Sequence, residues 1–422
     1  MRVALQTWGS DGDIRPMIAL AAGLVRRGHS AVLSIGSVDN KDYTGMGSAV
    51  GVECLRAPEV SPTDVTDWLP RLGQTKNPFK MIRFLHEQAL FPSFAEMSRA
   101  AHAMAEGADL AVGHFLCIPL RIAAGKRALP HATVSFWPGL IADPARPPDG
   151  LPNLGRAINS LLWSGGFKLI DRAVFAGYRA HYAEQGAPLP RSVLDACYSL
   201  RLNLIAASAA LWPHASDLGV HRFCGALSMP AEAEPEPLPP ELQEFLAAGP
   251  PPVFLTLGSM AQLDPASEQL LIDAAERSGE RAIVQRDTRR PPLRASDSRL
   301  AFVGRTSHAA LLPRCAAVLH HGGAGTSHTT LSAGRPAVVL GFMEEQLSWG
   351  RTLVRNRVAS ASFRFGGPDA NKLGAALGKA ARDPSLREKA VELGARLRAE
   401  DGVAEACRQL EELVELASRS QR

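Results

Sequence analysis

The chain has 422 residues, more than a single hydrophobic core usually spans, so two domains are expected. Its apolar fraction of 46% and charged fraction of 21% are those of a globular protein, and no apolar stretch reaches the roughly 20 residues that cross a bilayer. A net charge of +4 is small for this length and does not argue for nucleic acid. Met1-Arg2 leads straight into strand-like residues with no secretion signal, so a cytoplasmic location is expected. Six scattered cysteines without a C-x-x-C pair read as buried free thiols.

Short β-rich runs alternate with helical patterns along most of the chain, which points to parallel sheets covered by helices. Strands are expected at Arg2 to Thr7, Val32 to Gly36, Val52 to Arg56, Asp109 to Gly113 and Ala132 to Phe136. Between the first strand and a helix whose apolar face is Met17, Leu20, Ala21, Leu24 and Val25 lies the turn Gly9-Ser10-Asp11-Gly12-Asp13-Ile14-Arg15-Pro16. Its two carboxylates pose the first chemical question: a metal-handling pair, a turn without chemistry, or one lone base. Residues 71 to 92 mix basic and bulky apolar side chains in helical spacing.

From Met229 to Pro252 the chain is rich in proline and acid, as an interdomain linker would be. A second α/β run follows, with strands at Val253 to Leu257, Ala282 to Gln285, Leu300 to Val303, Ala316 to Leu319 and Ala337 to Leu340. Three helical patterns close the chain, the last carrying Val403, Cys407, Leu410, Val414 and Ala417 on one face. The expected division is an N-terminal domain over 1–225, a linker over 226–252, a second domain over 253–400 and a final helix over 401–422 that returns toward the N-terminal domain.

The richest stretch is His320-His321-Gly322-Gly323-Ala324-Gly325-Thr326-Ser327, between a strand and a helix. Glycines at such a turn let backbone amides approach an anion, and the helix N-terminus adds partial positive charge, so the stretch reads as a phosphate cradle. Neither G-x-G-x-x-G nor G-x-x-x-x-G-K-[ST] occurs there, which removes support for nicotinamide or P-loop chemistry.

That stretch, followed by Ala333-Gly334-Arg335-Pro336 and Glu345-Gln346-Leu347-Ser348-Trp349-Gly350, resembles nucleotide-sugar-dependent glycosyltransferases of the GT-B fold, in particular the bacterial natural-product, rhamnosyl and sterol enzymes. The turn Gly9 to Pro16 looks like the G-[ST]-x-G-D-x-x-P of the same family, so the resemblance reaches both ends of the chain. It implies an α/β chain of two Rossmann-like domains facing an interdomain cleft, acceptor-binding first and donor-binding second. It also implies an inverting, metal-independent hexosyl transfer from a UDP- or dTDP-sugar to a hydrophobic acceptor such as a polyketide, macrolide or sterol. No cofactor or metal is implied beyond the nucleotide-sugar co-substrate, and the assembly expected is a monomer or weak dimer.

Carried over by position, the resemblance puts Ser10, Gly12, Ser259, His321, Gly323, Gly325 and Thr326 on the donor diphosphate. It puts Arg305 and His308 on the base, and Glu345 and Gln346 on the sugar hydroxyls. Glu345 stands where aspartate is usual, and Arg305 where many relatives carry a tryptophan; a guanidinium plane can stack as well. Thr329 replaces the ribose-binding glutamate of plant relatives, leaving UDP and dTDP undistinguished. Inverting transfer needs a base for the acceptor hydroxyl. Plant relatives use histidine at the place of Asp13 and many bacterial ones aspartate, while His114 falls where histidine-based relatives put a supporting aspartate. Asp13 is therefore the expected base, with His114 as its partner or an alternative base. The resemblance also places residues 71 to 92 over the acceptor; a membrane-surface helix is the less favoured use of that segment.

Competing uses of the same residues remain at this level. Asp11-Gly12-Asp13 as a haloacid-dehalogenase-type nucleophile pair lacks the Thr or Val expected at position 15, which is Arg. As a Mn²⁺-binding D-x-D it stands too early in the chain. A nucleotide-sugar epimerase of the same fold, or a non-catalytic helper protein, stays open.

Overall fold

The computed structural model describes residues 1–38, 41–56, 77–213, 218–229, 237–258 and 265–419. Two compact units emerge: one holds Met1–Ala209, Pro213–Pro230 and Asp401–Arg422, the other Ala210–Trp212 and Ala231–Glu400.

The first unit is built on seven strands: β1 (Arg2–Gly9), β2 (Ser30–Ser37), β3 (Glu53–Arg56), β4 (Leu110–His114), β5 (His131–Ser135), β6 (Leu202–Ile205) and β7 (His221–Phe223). All pair in parallel, in the order β3-β2-β1-β4-β5-β6-β7. Strands covered on both faces read as continuous apolar runs, and Val3, Ala4, Leu5, Leu110, Ala111 and Val112 are buried. The helix Asp11–Arg26 packs Ile14, Met17, Ile18, Leu20 and Leu24 inward. It also receives the last helix, Gly402–Arg419: a methyl group at Gly23 would collide with Val403. Arg27 forks onto both oxygens of Glu411 at 2.8 and 2.7 Å, which with His29 holds that carboxyl down at about 2.

The second unit has six strands: β8 (Val253–Leu255), β9 (Ala282–Gln285), β10 (Leu300–Val303), β11 (Ala317–His320), β12 (Ala337–Gly341) and β13 (Ala359–Arg364), in the order β10-β9-β8-β11-β12-β13, again all parallel. In each sheet the strand order reverses once, between β1 and β4 and between β8 and β11. Ligands of open α/β sheets bind beyond the carboxyl ends of the strands at such a point.

Three strands, β6, β7 and β13, and the 29-residue helix Arg156–Glu184 go beyond the expected elements. Within the stretch read as linker, Pro240–Ala247 form a helix that buries Leu242 and Leu246 beside Phe254 and Ile283. Proline at its first turn is compatible with a helix start, and four-residue spacing of leucines carries it. Of residues 71 to 92, those from 77 on are described. Asn77 caps the helix Pro78–Leu85, a wide turn at His86–Leu90 follows, and Met81 and Leu90 are buried, so these apolar side chains serve packing. All six cysteines are free, five of them buried and Cys54 half-buried. Among the described residues no helix is long and apolar enough to cross a membrane.

Candidate active site

Asp13 follows β1 and His114 ends β4, and Gly258 and His321 follow β8 and β11, the strand pairs at which the order of each sheet reverses, whereas Arg305 and His308 follow β10 and Glu345 and Gln346 follow β12. In the first unit β1 ends at Gly9 and the helix begins at Asp11, with Ser10 as its extended cap. Asp13 is the third residue of that helix, and its Oδ2 accepts from the Ser10 amide at 2.9 Å and from the Ser10 hydroxyl at 3.3 Å. The backbone beneath is fixed by Thr7, whose hydroxyl donates to the Asp13 carbonyl at 2.9 Å. Gly9 has φ +144, and a methyl group there would collide with the Asp13 carboxylate. Only glycine tolerates both demands. Ser10, expected on the diphosphate, thus has its amide and hydroxyl on Asp13, while Gly12 faces open space. Asp11 stands on the outer side of the turn, 3.8 Å from the Lys41 ammonium.

His114 ends the neighbouring strand β4 and is 2% exposed. Its Nε2 lies 3.8 Å from Asp13 Oδ1, too far for a hydrogen bond, and neither ring nitrogen has a hydrogen-bond partner among the described residues. Phe136 stacks on one face of the ring at 5.4 Å and Phe115 meets it edge-on at 4.6 Å. Burial lowers the imidazole to about 3, so it is neutral at pH 7. Asp13 moves the other way. Burial raises its carboxyl to about 6, against the lowering effect of the two Ser10 hydrogen bonds. A neutral histidine beside a carboxyl at about 6 is not an ion pair, and as a base it is the weaker of the two.

In the second unit β11 runs into His321-Gly322-Gly323, and Gly323 caps the helix Ala324–Ser332 without a side-chain hydrogen bond. The amides of Ala324, Gly325 and Thr326, the first turn, have no acceptor within the helix and no side-chain cap. Gly325 faces open space. The His321 ring sits between two glycines: a methyl at Gly258, whose φ is +69, would strike Cε1, and one at Gly323 would strike Nε2. His321 Nδ1 is buried without a hydrogen-bond partner among the described residues, and burial lowers the ring to about 4. His320 is buried in the core, where its Nδ1 accepts from the Gly322 amide at 3.0 Å.

His308 lies close enough that its charge counts in the lowered values of both His320 and His321, and it meets Phe254 edge-on at 5.5 Å. Arg305 is exposed on the preceding loop. Gln346 is buried, and its Oε1 accepts from the Phe342 and Met343 amides at 2.7 and 3.2 Å. Glu345 stands half-buried one residue earlier, and Glu344 is tied to Arg351 and to Arg364. The Thr329 hydroxyl is spent on the Gly325 carbonyl at 2.9 Å. Ser259 lies outside the described residues.

Motif reading gave no role to the residues that set the geometry, although Gly9 opens one of the motifs. Gly9 makes room for the Asp13 carboxylate, and Thr256 and Gln285 brace the loop that carries Gly258. A glycine directly before Ser10 and the Thr-x-Gly after β8 were the available signals.

Residues 268–413 match the family described as erythromycin biosynthesis protein CIII-like, C-terminal domain. The chain is 30% identical over 395 residues to an uncharacterized glycosyltransferase of Mycobacterium leprae, covering 89% of this chain and 88% of that one. It is 29% identical over 352 residues to the vancomycin aglycone glucosyltransferase of Amycolatopsis orientalis, with 82% of each covered. Its fold matches the Streptomyces sp. SF2575 glycosyltransferase SsfS6 complexed with thymidine diphosphate at a TM-score of 0.65 and 18% identity, over 98% of this chain and 99% of that one. Taking fold, motif order and sequence relatives together, the chain belongs to the glycosyltransferases and has the GT-B fold, with enzymes of natural-product glycosylation among the proteins it resembles.

Proposed function

We propose that this glycosyltransferase moves a hexose from a dTDP- or UDP-sugar to a hydroxyl of a hydrophobic small molecule, with inversion and without a metal, and that Asp13 is its general base. The observation that carries this is the Asp13 carboxyl itself. One oxygen is anchored by Ser10, the other has no hydrogen-bond partner among the described residues, and burial brings its affinity for a proton to about 6. A base is most effective when its pKa lies near the operating pH.

In this scheme the acceptor oxygen attacks the anomeric carbon from the face opposite the diphosphate. Its proton passes to Asp13 Oδ1, and the bond from the anomeric carbon to the phosphate oxygen breaks with its electron pair leaving on the diphosphate. That charge meets the uncapped amides of Ala324, Gly325 and Thr326 and a hydrogen bond donated by neutral His321. Glu345 accepts from, and the Gln346 amide donates to, the sugar hydroxyls. His114 stays neutral and forms a dry wall on the Oδ1 side, which keeps the carboxyl from ionising early. SsfS6 was captured with thymidine diphosphate, which makes dTDP-sugars the first donors to try, and the vancomycin relative supports an aglycone as acceptor.

The test is incubation with labelled dTDP- and UDP-hexoses, with and without lipophilic alcohols, followed by the anomeric configuration of any product. Acceptor-dependent release of nucleoside diphosphate with inverted product supports the proposal. Isomer exchange without acceptor would point to an epimerase, and tight donor binding without turnover to a helper protein.

A further inference from the structure

We propose that Gln285 is a positioning residue that holds the two halves of the nucleotide site in register: the diphosphate side at Gly258 and His321, and the base side at Gly304 and Arg305. The inference rests on the donor site proposed above. Its basis is a directional chain of hydrogen bonds across three strand ends of the second unit. The Gly258 amide donates to Thr256 Oγ1 at 3.0 Å, the Thr256 hydroxyl donates to Gln285 Oε1, and Gln285 Nε2 donates to the Gly304 carbonyl at 3.1 Å.

Sheet register puts these groups side by side. Leu255 pairs with Val284, so Thr256 and Gln285 follow on adjacent strands, and Gln285 itself pairs with Val303, next to Gly304. The direction of each bond is fixed. The Gly304 carbonyl can only accept, so the Gln285 amide nitrogen must face it; Gln285 Oε1 then faces Thr256 and takes its single hydroxyl proton, while the Thr256 oxygen accepts from Gly258. Thr256 is fully buried, so each lost bond would strand a polar group.

At one end the chain holds Gly258, whose left-handed backbone forms the seat of the His321 ring. At the other it holds the carbonyl directly before Arg305. A nucleoside diphosphate has to touch both ends at once, so a shift of one loop against the other weakens the whole ligand even when each loop is intact.

Dissociation constants of dTDP and UDP are to be measured calorimetrically for the wild type, Gln285→Leu, Gln285→Glu, Thr256→Val, Thr256→Ser and the Gln285→Leu/Thr256→Val double variant, alongside donor and acceptor KM. Gln285→Leu and Thr256→Val are each expected to weaken nucleotide binding about tenfold. Donor KM should rise in parallel and acceptor KM stay within about twofold, because only one ligand spans the brace. Gln285→Glu, which keeps the Thr256 bond but sets a carboxylate against the Gly304 carbonyl, should also weaken binding. Thr256→Ser should bind like wild type, and the double variant should be no worse than the poorer single one, since both cut one chain. Unchanged nucleotide affinity in Gln285→Leu and Gln285→Glu would overturn the inference, as would an equal fall of kcat with both KM values unmoved, the sign of lost folded protein. A wild type that binds neither nucleotide would instead overturn the donor site on which the inference rests.

Discussion

The Asp13 carboxylate occupies the space that a side chain at position 9 would need, and Gly9 reaches it with φ +144. The proposed base is therefore placed by an absence. A methyl at Gly9 has to displace the carboxylate or leave that backbone conformation. Gly9→Ala is expected to lower kcat about a hundredfold or more while the Kd for nucleoside diphosphate stays within about twofold. Steady-state kinetics beside calorimetry would check this; near-normal turnover would mean that the carboxylate position is not critical.

Asp13 must be ionised to accept a proton, and its carboxyl lies at about 6. The profile of kcat/KM against pH should therefore fall as pH drops through about 6. The Ser10 hydroxyl helps hold the ionised form, so Ser10→Ala removes a lowering influence and should carry the acid limb to higher pH. A limb that stays in place in that variant would show that another group controls it.

The same shift has a sign for stability. Unfolded, Asp13 ionises near 3.8; folded, at about 6. Between those values the folded chain binds the extra proton, so stability falls as pH rises through the window and the loss is complete above it. Asp13→Asn has no such loss. It should melt higher than wild type at about pH 7.5, by an amount of order 1 kcal/mol because the side chain is 31% exposed, and no higher at about pH 3.5. Scanning calorimetry at the two pH values decides this, and equal differences at both would contradict it.

On the proposed donor side, His321 is seated between Gly258 and Gly323. His321→Ala should weaken nucleoside diphosphate binding about tenfold to a hundredfold, and Gly258→Ala should act in the same direction by pushing the ring aside. Neither should alter the acid limb set by Asp13. Titration calorimetry and the pH profile together separate the two halves of the chemistry.

Most central strands were readable because strands buried on both faces are unbroken apolar runs, as Val3, Ala4 and Leu5 in β1 and Ala317, Val318 and Leu319 in β11 show, whereas in β6 Asn203 interrupts the run Leu202 to Ile205. The edge strands β7, three residues long, and β13, Ala-Ser-Ala-Ser-Phe-Arg, have no such run, and the helix Pro240–Ala247 hid beneath its prolines. Of the candidate site, the groups that lie in one linear stretch could be placed from the sequence: Asp13 after β1, and the glycine-rich turn from His321 to Thr326 after β11. What joins them to their surroundings could not. The tie between Thr256 and Gln285 spans 29 residues and exists only through the register of β8 on β9. The neutral state of His114 follows from burial between Phe115 and Phe136, which no spacing in the sequence reveals.

The most direct test of Asp13 as the base is turnover and nucleotide binding in Asp13→Asn, measured on the same preparation with a dTDP- or UDP-hexose and an accepted aglycone. The expected result is a loss of acceptor-dependent turnover of about a thousandfold or more, with the Kd for nucleoside diphosphate within about twofold of wild type. Turnover within about tenfold of wild type would contradict it and remove Asp13 from the proton transfer.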